Sequence, residues 1–237
     1  RPPRGKIMNQ PATAVPATLT VPMLRTLGLV AALSGFLVVL AHHLSLPLIE
    51  ENKRIAIERA LFKVIPGAVT RRDFQLTAAG IEPLGEAPAA TGMHLYAGYD
   101  TDGRLAGVAL EAAAQGYQDV IRILYSYDPA CECIRGIQVL KMAETPGIGD
   151  KIATDPGFLE NFKALDARVD AAGSGLEHAI VSVKSGSKTE PWQIDAISGA
   201  TISSKAVARM LNDSARQAAP VIMRYLDVLQ RPDGDTP

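Results

Sequence analysis

The sequence predicts an α+β domain preceded by a membrane-spanning helix. Three observations point there. Thr26 to Ile49 contains no Asp, Glu, Lys or Arg and is almost wholly apolar. The middle of the chain carries short extended runs punctuated by Asp, Gly and Pro turns. Helical periodicity returns near the C-terminus, with no regular alternation of strand and helix that would signal a doubly wound sheet.

In chain order, residues 1–24 carry Pro, Ala and Thr without helical or strand period and read as a flexible tail, with Met8 as a candidate natural start. Residues 25–49 reach the ~20 apolar positions that cross a bilayer core. A cleaved signal peptide would have a shorter apolar core and a small-x-small site, which is not seen after Leu40, so a permanent single-pass anchor is expected. Arg1, Arg4, Lys6 and Arg25 precede this span, while Lys53, Arg54, Arg59 and Lys63 follow it, so the positive-inside count does not set its orientation. His42 and His43 fall near the second interface, where polar side chains commonly sit.

Residues 50–91 read as a stalk helix and a connection. Ile55, Ile57, Ala60, Leu61 and Val64 keep a helical period until Pro66-Gly67 stops it, and residues 70–91 take no assigned form. Residues 92–229 form the main domain. Leu95–Tyr99 and Leu105–Leu110 flank Asp100-Thr-Asp-Gly103 as a β-hairpin. Val120–Tyr125 and Ile134–Leu140 make a second strand pair, and Ala179–Lys184 a further strand. Phe158–Leu165 and Ile202 to about Gln217 read as helices. Residues 230–237 are expected to fray.

Two motifs carry chemistry. The first is Asp195-Ala-Ile-Ser198-Gly199-Ala200-Thr201 before the last helix. Gly199 permits a tight turn, and Thr201 then stands at or near the helix start, where free N–H groups and the helix dipole favour a phosphate. Ser198, Ser203 and Ser204 offer further hydroxyl donors. A plain helix cap would also use such a threonine. The second motif is Glu144-Thr145-Pro-Gly147-Ile148-Gly149, whose glycines allow backbone to approach a flat ligand and whose Thr145 adds a hydroxyl. An ordinary surface turn has the same composition. Tyr117, after Gly116, suits either a ring contact or the core. Cys131 and Cys133, one residue apart, would share one face of a strand; in an oxidising compartment a disulfide is conceivable but strained, and the pair reads as free or packing cysteines. No metal site is expected, because further ligands are missing nearby.

Other functions are excluded by pattern. A net charge of −1 with no basic stripe argues against nucleic acid. There is no P-loop, no dinucleotide fingerprint and no hydrolase triad, so no catalytic residue is assigned.

With its Asp at the sixth position before Thr201, the Ser-Gly-Ala-Thr turn resembles the acceptor site of the FMN-binding family. Glu144–Gly149 and Gly116-Tyr117 are similar to segments of the G subunit of Rnf complexes and the related C subunit of sodium-pumping quinone reductases, and the G subunit is the better likeness. The resemblance implies FMN joined by a phosphoester to Thr201 through a flavin transferase, with Asp195 in the recognition pattern. It further implies cofactor contacts at Ser198, Gly199, Ala200, Ser203, Ser204, Glu144, Thr145, Gly147, Ile148, Gly149 and Tyr117. The expected role is a subunit of an ion-translocating translocase that relays electrons between ferredoxin and NAD beside other membrane subunits. Its N-terminus would be cytoplasmic and its domain periplasmic, at a bacterial inner membrane. A quinone-reductase subunit or a membrane redox sensor is the alternative.

Overall fold

The computed structural model describes residues 20–77, 80–84 and 92–230. The expected tails at 1–24 and 230–237 therefore lie largely outside the described residues. Contacts divide the chain into one unit ending at Asn52 and a second beginning at Lys53.

Helix α1 runs from Thr20 to Val64 without interruption, with Pro47 inside it. Between Val21 and Ile49 its large apolar side chains are exposed, Leu46 only in part, as a helix must be if lipid is to cover it. By length and composition this helix can cross a membrane. From Ile57 onward the same helix behaves differently. Ile57, Ala60, Leu61 and Val64 are buried, at the three-to-four-residue spacing of a helix packed on one side.

In the second unit, β1 (Thr70–Thr77), β2 (Gly80–Pro83), β3 (Met93–Tyr99), β4 (Leu105–Gln115), β5 (Val120–Asp128), β6 (Cys133–Lys141) and β7 (Leu165–Asp166) form one antiparallel sheet. Its order is β2-β1-β3-β4-β5-β6-β7. Both predicted hairpins are present. The segment 70–91, to which the sequence assigns no form, contributes β1 and β2, so the sheet begins before residue 92. Two short parallel strands, β8 (Val181–Val183) and β9 (Gln193–Asp195), stand apart from it. Helix α2 is only Pro156–Glu160, shorter than the predicted 158–165. Helix α3 is Thr201–Arg224, longer than predicted, and α4 is Leu226–Gln230.

Side chains alternate across the sheet. Tyr96, Ala109 and Leu124 face the end of α1, whereas Leu95, Leu110, Ile123 and Tyr125 face α3 through Ala206, Val207, Met210 and Leu211. A buried hydrogen bond of 2.8 Å between the Tyr125 and Ser214 hydroxyls fixes α3 on its face. On the other face small residues admit the end of α1. A Cβ on Gly98 would come within 2.9 Å of Ile65, and one on Gly136 within 3.3 Å of the Val64 backbone.

The cysteines correct the expectation drawn from spacing. Cys131 and Cys133 form a disulfide, with Cα atoms 5.2 Å apart. The expectation assumed a flat strand, but only Cys133 belongs to β6, and Glu132 between them has φ of +50°. Carrying one residue into the left-handed region turns both side chains toward each other. Glu132 is held there by its own contacts, since its carbonyl accepts from Ala167 and its carboxylate from Val169.

Leu61 is fully buried, so Leu61→Ala should cost about 2–5 kcal/mol through lost contact and a residual cavity. Denaturant unfolding of the detergent-purified chain should show that loss, while Leu37→Ala in the exposed span should show none.

Candidate functional site

Gly199 has φ of +85°, a conformation open to glycine and strained for other residues. That turn delivers Ala200 as N-cap and Thr201 as the first residue of α3. Ala200 offers no side-chain acceptor, so the first-turn N–H groups have no side-chain cap. The sequence places Thr201 at or near the cap. In the structure it stands one position inside the helix and exposed.

A cavity of about 550 Å³ opens in front of this turn. Tyr117, Glu144, Thr145, Ile148 and Gly149 line it from one side, and Gly199, Ala200, Thr201 and Ser203 from the other. Two motifs remote in sequence are thereby brought together. Ile202 belongs here too, although its period suggests the core. It is half exposed, as are Ile148 and, still more, Tyr117. Three exposed apolar side chains around one cleft are a surface suited to a flat, partly apolar ligand.

Glu144 organises the cavity rather than facing the ligand space freely. It is 6% exposed. Its carboxylate accepts from the backbone N–H of Tyr117 at 3.0 Å and of Gln118 at 3.2 Å, and from the Ser203 hydroxyl. Burial pushes this carboxyl up, but the bonds from Ser203 and from the N–H groups of Gln118 and Tyr117 outweigh it and hold it below the usual range. Two glycines exist for this side chain. A Cβ on Gly116 would meet Glu144 Oε1 at 2.5 Å, and one on Gly149 would meet Glu144 Cβ at 2.9 Å. Gly147 differs, since nothing lies near its Cβ position and its φ of +76° is what the turn requires.

The remaining expected site residues divide. Thr145 accepts from Gln118 Nε2 at 3.0 Å, a partner the motif reading missed. The Ser203 and Ser204 hydroxyls are engaged within the protein, Ser203 with Glu144 and Ser204 with the Ala200 carbonyl at 3.0 Å. Ser198 is exposed and lines a second cavity beyond Thr201. Asp195 lines neither cavity. Its carboxylate accepts from Gly186 N–H at 2.7 Å and Ser187 N–H at 3.3 Å, and its backbone N–H donates to Asn161 at 3.0 Å. Asp195 thus staples the β8–β9 loop beside Thr201. Asn161 has no motif signature, and only the fold reveals it.

The Glu144 shift sets a pH dependence. An unfolded glutamate titrates at roughly 4.3, and the folded carboxyl lies lower. Its stabilisation is therefore complete above the unfolded value and is lost as pH falls through the folded one. The stability difference between the parent chain and Glu144→Gln should be flat near neutral pH and shrink below about pH 4. Unfolding titrations across that range check it, and a pH-independent gap would contradict the anchoring role.

The FMN-binding domain matches residues 116–216, from the loop bearing Tyr117 into α3. The G subunit of the ion-translocating oxidoreductase complex of Shewanella piezotolerans is 30% identical over 183 residues, covering 76% of this chain and 80% of that protein. Its namesake from Methanosarcina acetivorans is 37% identical over 119 residues, 50% of this chain and 55% of that protein, so there the chain spans about half the relative's length. The crystal structure of Shewanella oneidensis NqrC shares the fold, with a TM-score of 0.56 over 76% of this chain and 98% of that one at 20% identity. The chain carries an FMN-binding domain, and it belongs to the family of G subunits of ion-translocating oxidoreductase complexes.

Proposed function

We propose that this chain is the membrane-anchored flavin carrier of an ion-translocating electron-transport complex, with FMN joined by a phosphoester to Thr201. The observation that carries the reading is the position of Thr201. Its exposed hydroxyl stands at the first turn of α3, at the lip of an apolar cleft. A phosphate there meets uncapped N–H groups and the positive end of the helix dipole. The cleft side chains fit a flavin ring, with Ile148 and Ile202 offering apolar contact and Tyr117 an aromatic face. Bound FMN would supply one- and two-electron redox chemistry, and the protein supplies its position and surroundings. Glu144 holds both walls of the cleft in register.

In this reading the electrons pass between ferredoxin and NAD, through neighbouring subunits of the same membrane complex. The exposed apolar length of α1 is the anchor, and a flavin transferase installs the cofactor. The domain lies on the periplasmic side of a bacterial inner membrane. The Cys131–Cys133 disulfide supports that side, because such bonds persist in oxidising compartments and are rare in the cytosol. A covalent tether also suits a compartment where a lost cofactor is not readily replaced.

Thr201→Val keeps the side-chain shape and removes the nucleophilic oxygen. The denatured variant should lose flavin fluorescence in gels and the FMN mass increment, and its assembled complex should lose ferredoxin-dependent NAD reduction. Retained fluorescence would sink the assignment. Protease added to intact spheroplasts should digest the domain beyond Lys53. Digestion only in inverted vesicles would place the flavin in the cytoplasm instead.

A further inference from the structure

Two cavities meet at Thr201. The first is the apolar cleft described above. The second, of about 530 Å³, lies on the other side of the same residue and shares Gly199 and Thr201 with it. Its lining differs in kind, with Ser182, Lys184, Ser185, Ser198 and Lys205 around Thr201. Among the described residues neither Lys184 nor Lys205 has an ion-pair partner. The Ser182 hydroxyl oxygen is buried and without a hydrogen-bond partner. Two exposed ammonium groups without an ion-pair partner among the described residues, an unsatisfied hydroxyl and a helix start with no side-chain cap all favour an anion with several oxygens.

Lys184 does not reach this place by chance. It follows the end of β8 and opens a turn in which Ser187 N–H donates to the Lys184 carbonyl at 2.9 Å. Asp195 fixes that turn through Gly186 and Ser187. Lys205 stands one helical turn beyond Thr201 on α3, on the same face.

We infer that the Lys184–Lys205 cavity is a phosphate subsite that serves flavin attachment at Thr201, with Asp195 as the positioning residue for Lys184. The inference rests on the tether proposed above. A threonine hydroxyl needs an activated phosphoryl donor, since a phosphate monoester has no good leaving group. A flavin dinucleotide is such a donor, because its two phosphates are joined as an anhydride. The Thr201 oxygen forms a bond to the flavin-side phosphorus as the anhydride P–O bond breaks. The second phosphate departs on its nucleoside as a monophosphate, and the hydroxyl proton is released to solvent. With the ring in the apolar cleft, a phosphate is directed past Thr201 into the cationic cavity. That phosphate is either the one retained in the tether or the one that departs.

The test uses the full chain in detergent, with a flavin transferase and FAD, and compares Lys184→Gln, Lys205→Gln, the double variant and the corresponding arginine substitutions. Loss of charge-assisted bonds to a phosphate should slow flavinylation of the double variant about tenfold at saturating acceptor, with arginine restoring most of the rate. The phosphorus NMR resonance of the finished phosphoester separates the two sources. A resonance displaced in the glutamine variants assigns the cavity to the retained phosphate, and an unmoved resonance with a slow rate assigns it to the departing one. An unchanged rate with an unmoved resonance overturns the subsite. So does a change confined to the KM for the acceptor chain, which would mean that the lysines touch the transferase surface. Failure of the parent chain to take flavin at Thr201 would instead remove the tether reading.

Discussion

The Glu144 carboxylate is the interaction on which the site depends. It draws backbone N–H groups of the β4–β5 loop and a hydroxyl from the first turn of α3 onto one buried charge. Those segments are remote in sequence. A buried carboxylate without these donors would be costly, and the donors without it would be unsatisfied. The arrangement is therefore cooperative, and it explains why Gly116 and Gly149 carry no side chains. It also changes the meaning of the Glu-Thr-Pro-Gly-Ile-Gly segment, whose glutamate shapes the wall from within.

Asp195 plays a parallel part on the opposite side of Thr201. Both motif carboxylates accept backbone N–H groups, and Glu144 also accepts the Ser203 hydroxyl. One secures the cleft, and the other secures the loop that carries Lys184. Thr201 stands between them, presented by the Gly199 turn, with an apolar environment on one hand and a cationic one on the other. That polarity matches a ligand with a flat ring at one end and phosphate at the other.

The helix α1 obeys two solvents along one continuous backbone. Its exposed apolar residues suit lipid, and from Ile57 its apolar stripe covers a protein sheet. The change is one of pattern, from apolar on all sides to apolar on one. The small residues Gly98, Gly107 and Gly136 let the helix end approach that sheet closely, while α3 covers the other face with a conventional amphipathic stripe.

Much of this was legible in the residues. The anchor, both hairpins, α3 and the Thr201 turn follow from local rules of hydrophobic period, turn chemistry and helix starts, which a linear sequence records. The resemblance then supplied a cofactor. What tertiary structure alone decided are the relations between distant segments. β1 and β2 lack strong period because β2 is a four-residue edge strand and β1 keeps polar, half-buried residues along most of its length, so pairing rather than pattern defines them. The disulfide depended on Glu132 leaving the extended region, which contacts with Ala167 and Val169 impose. Ile202 fits the core period yet lies in the cleft, because the helix start is exposed where the core has already ended. The inward turn of Glu144, the loop held by Asp195 and the arrival of Lys184 beside Thr201 had no linear signature. Each is a meeting of groups separated along the chain, and only the folded protein brings them within hydrogen-bonding distance or around one cavity.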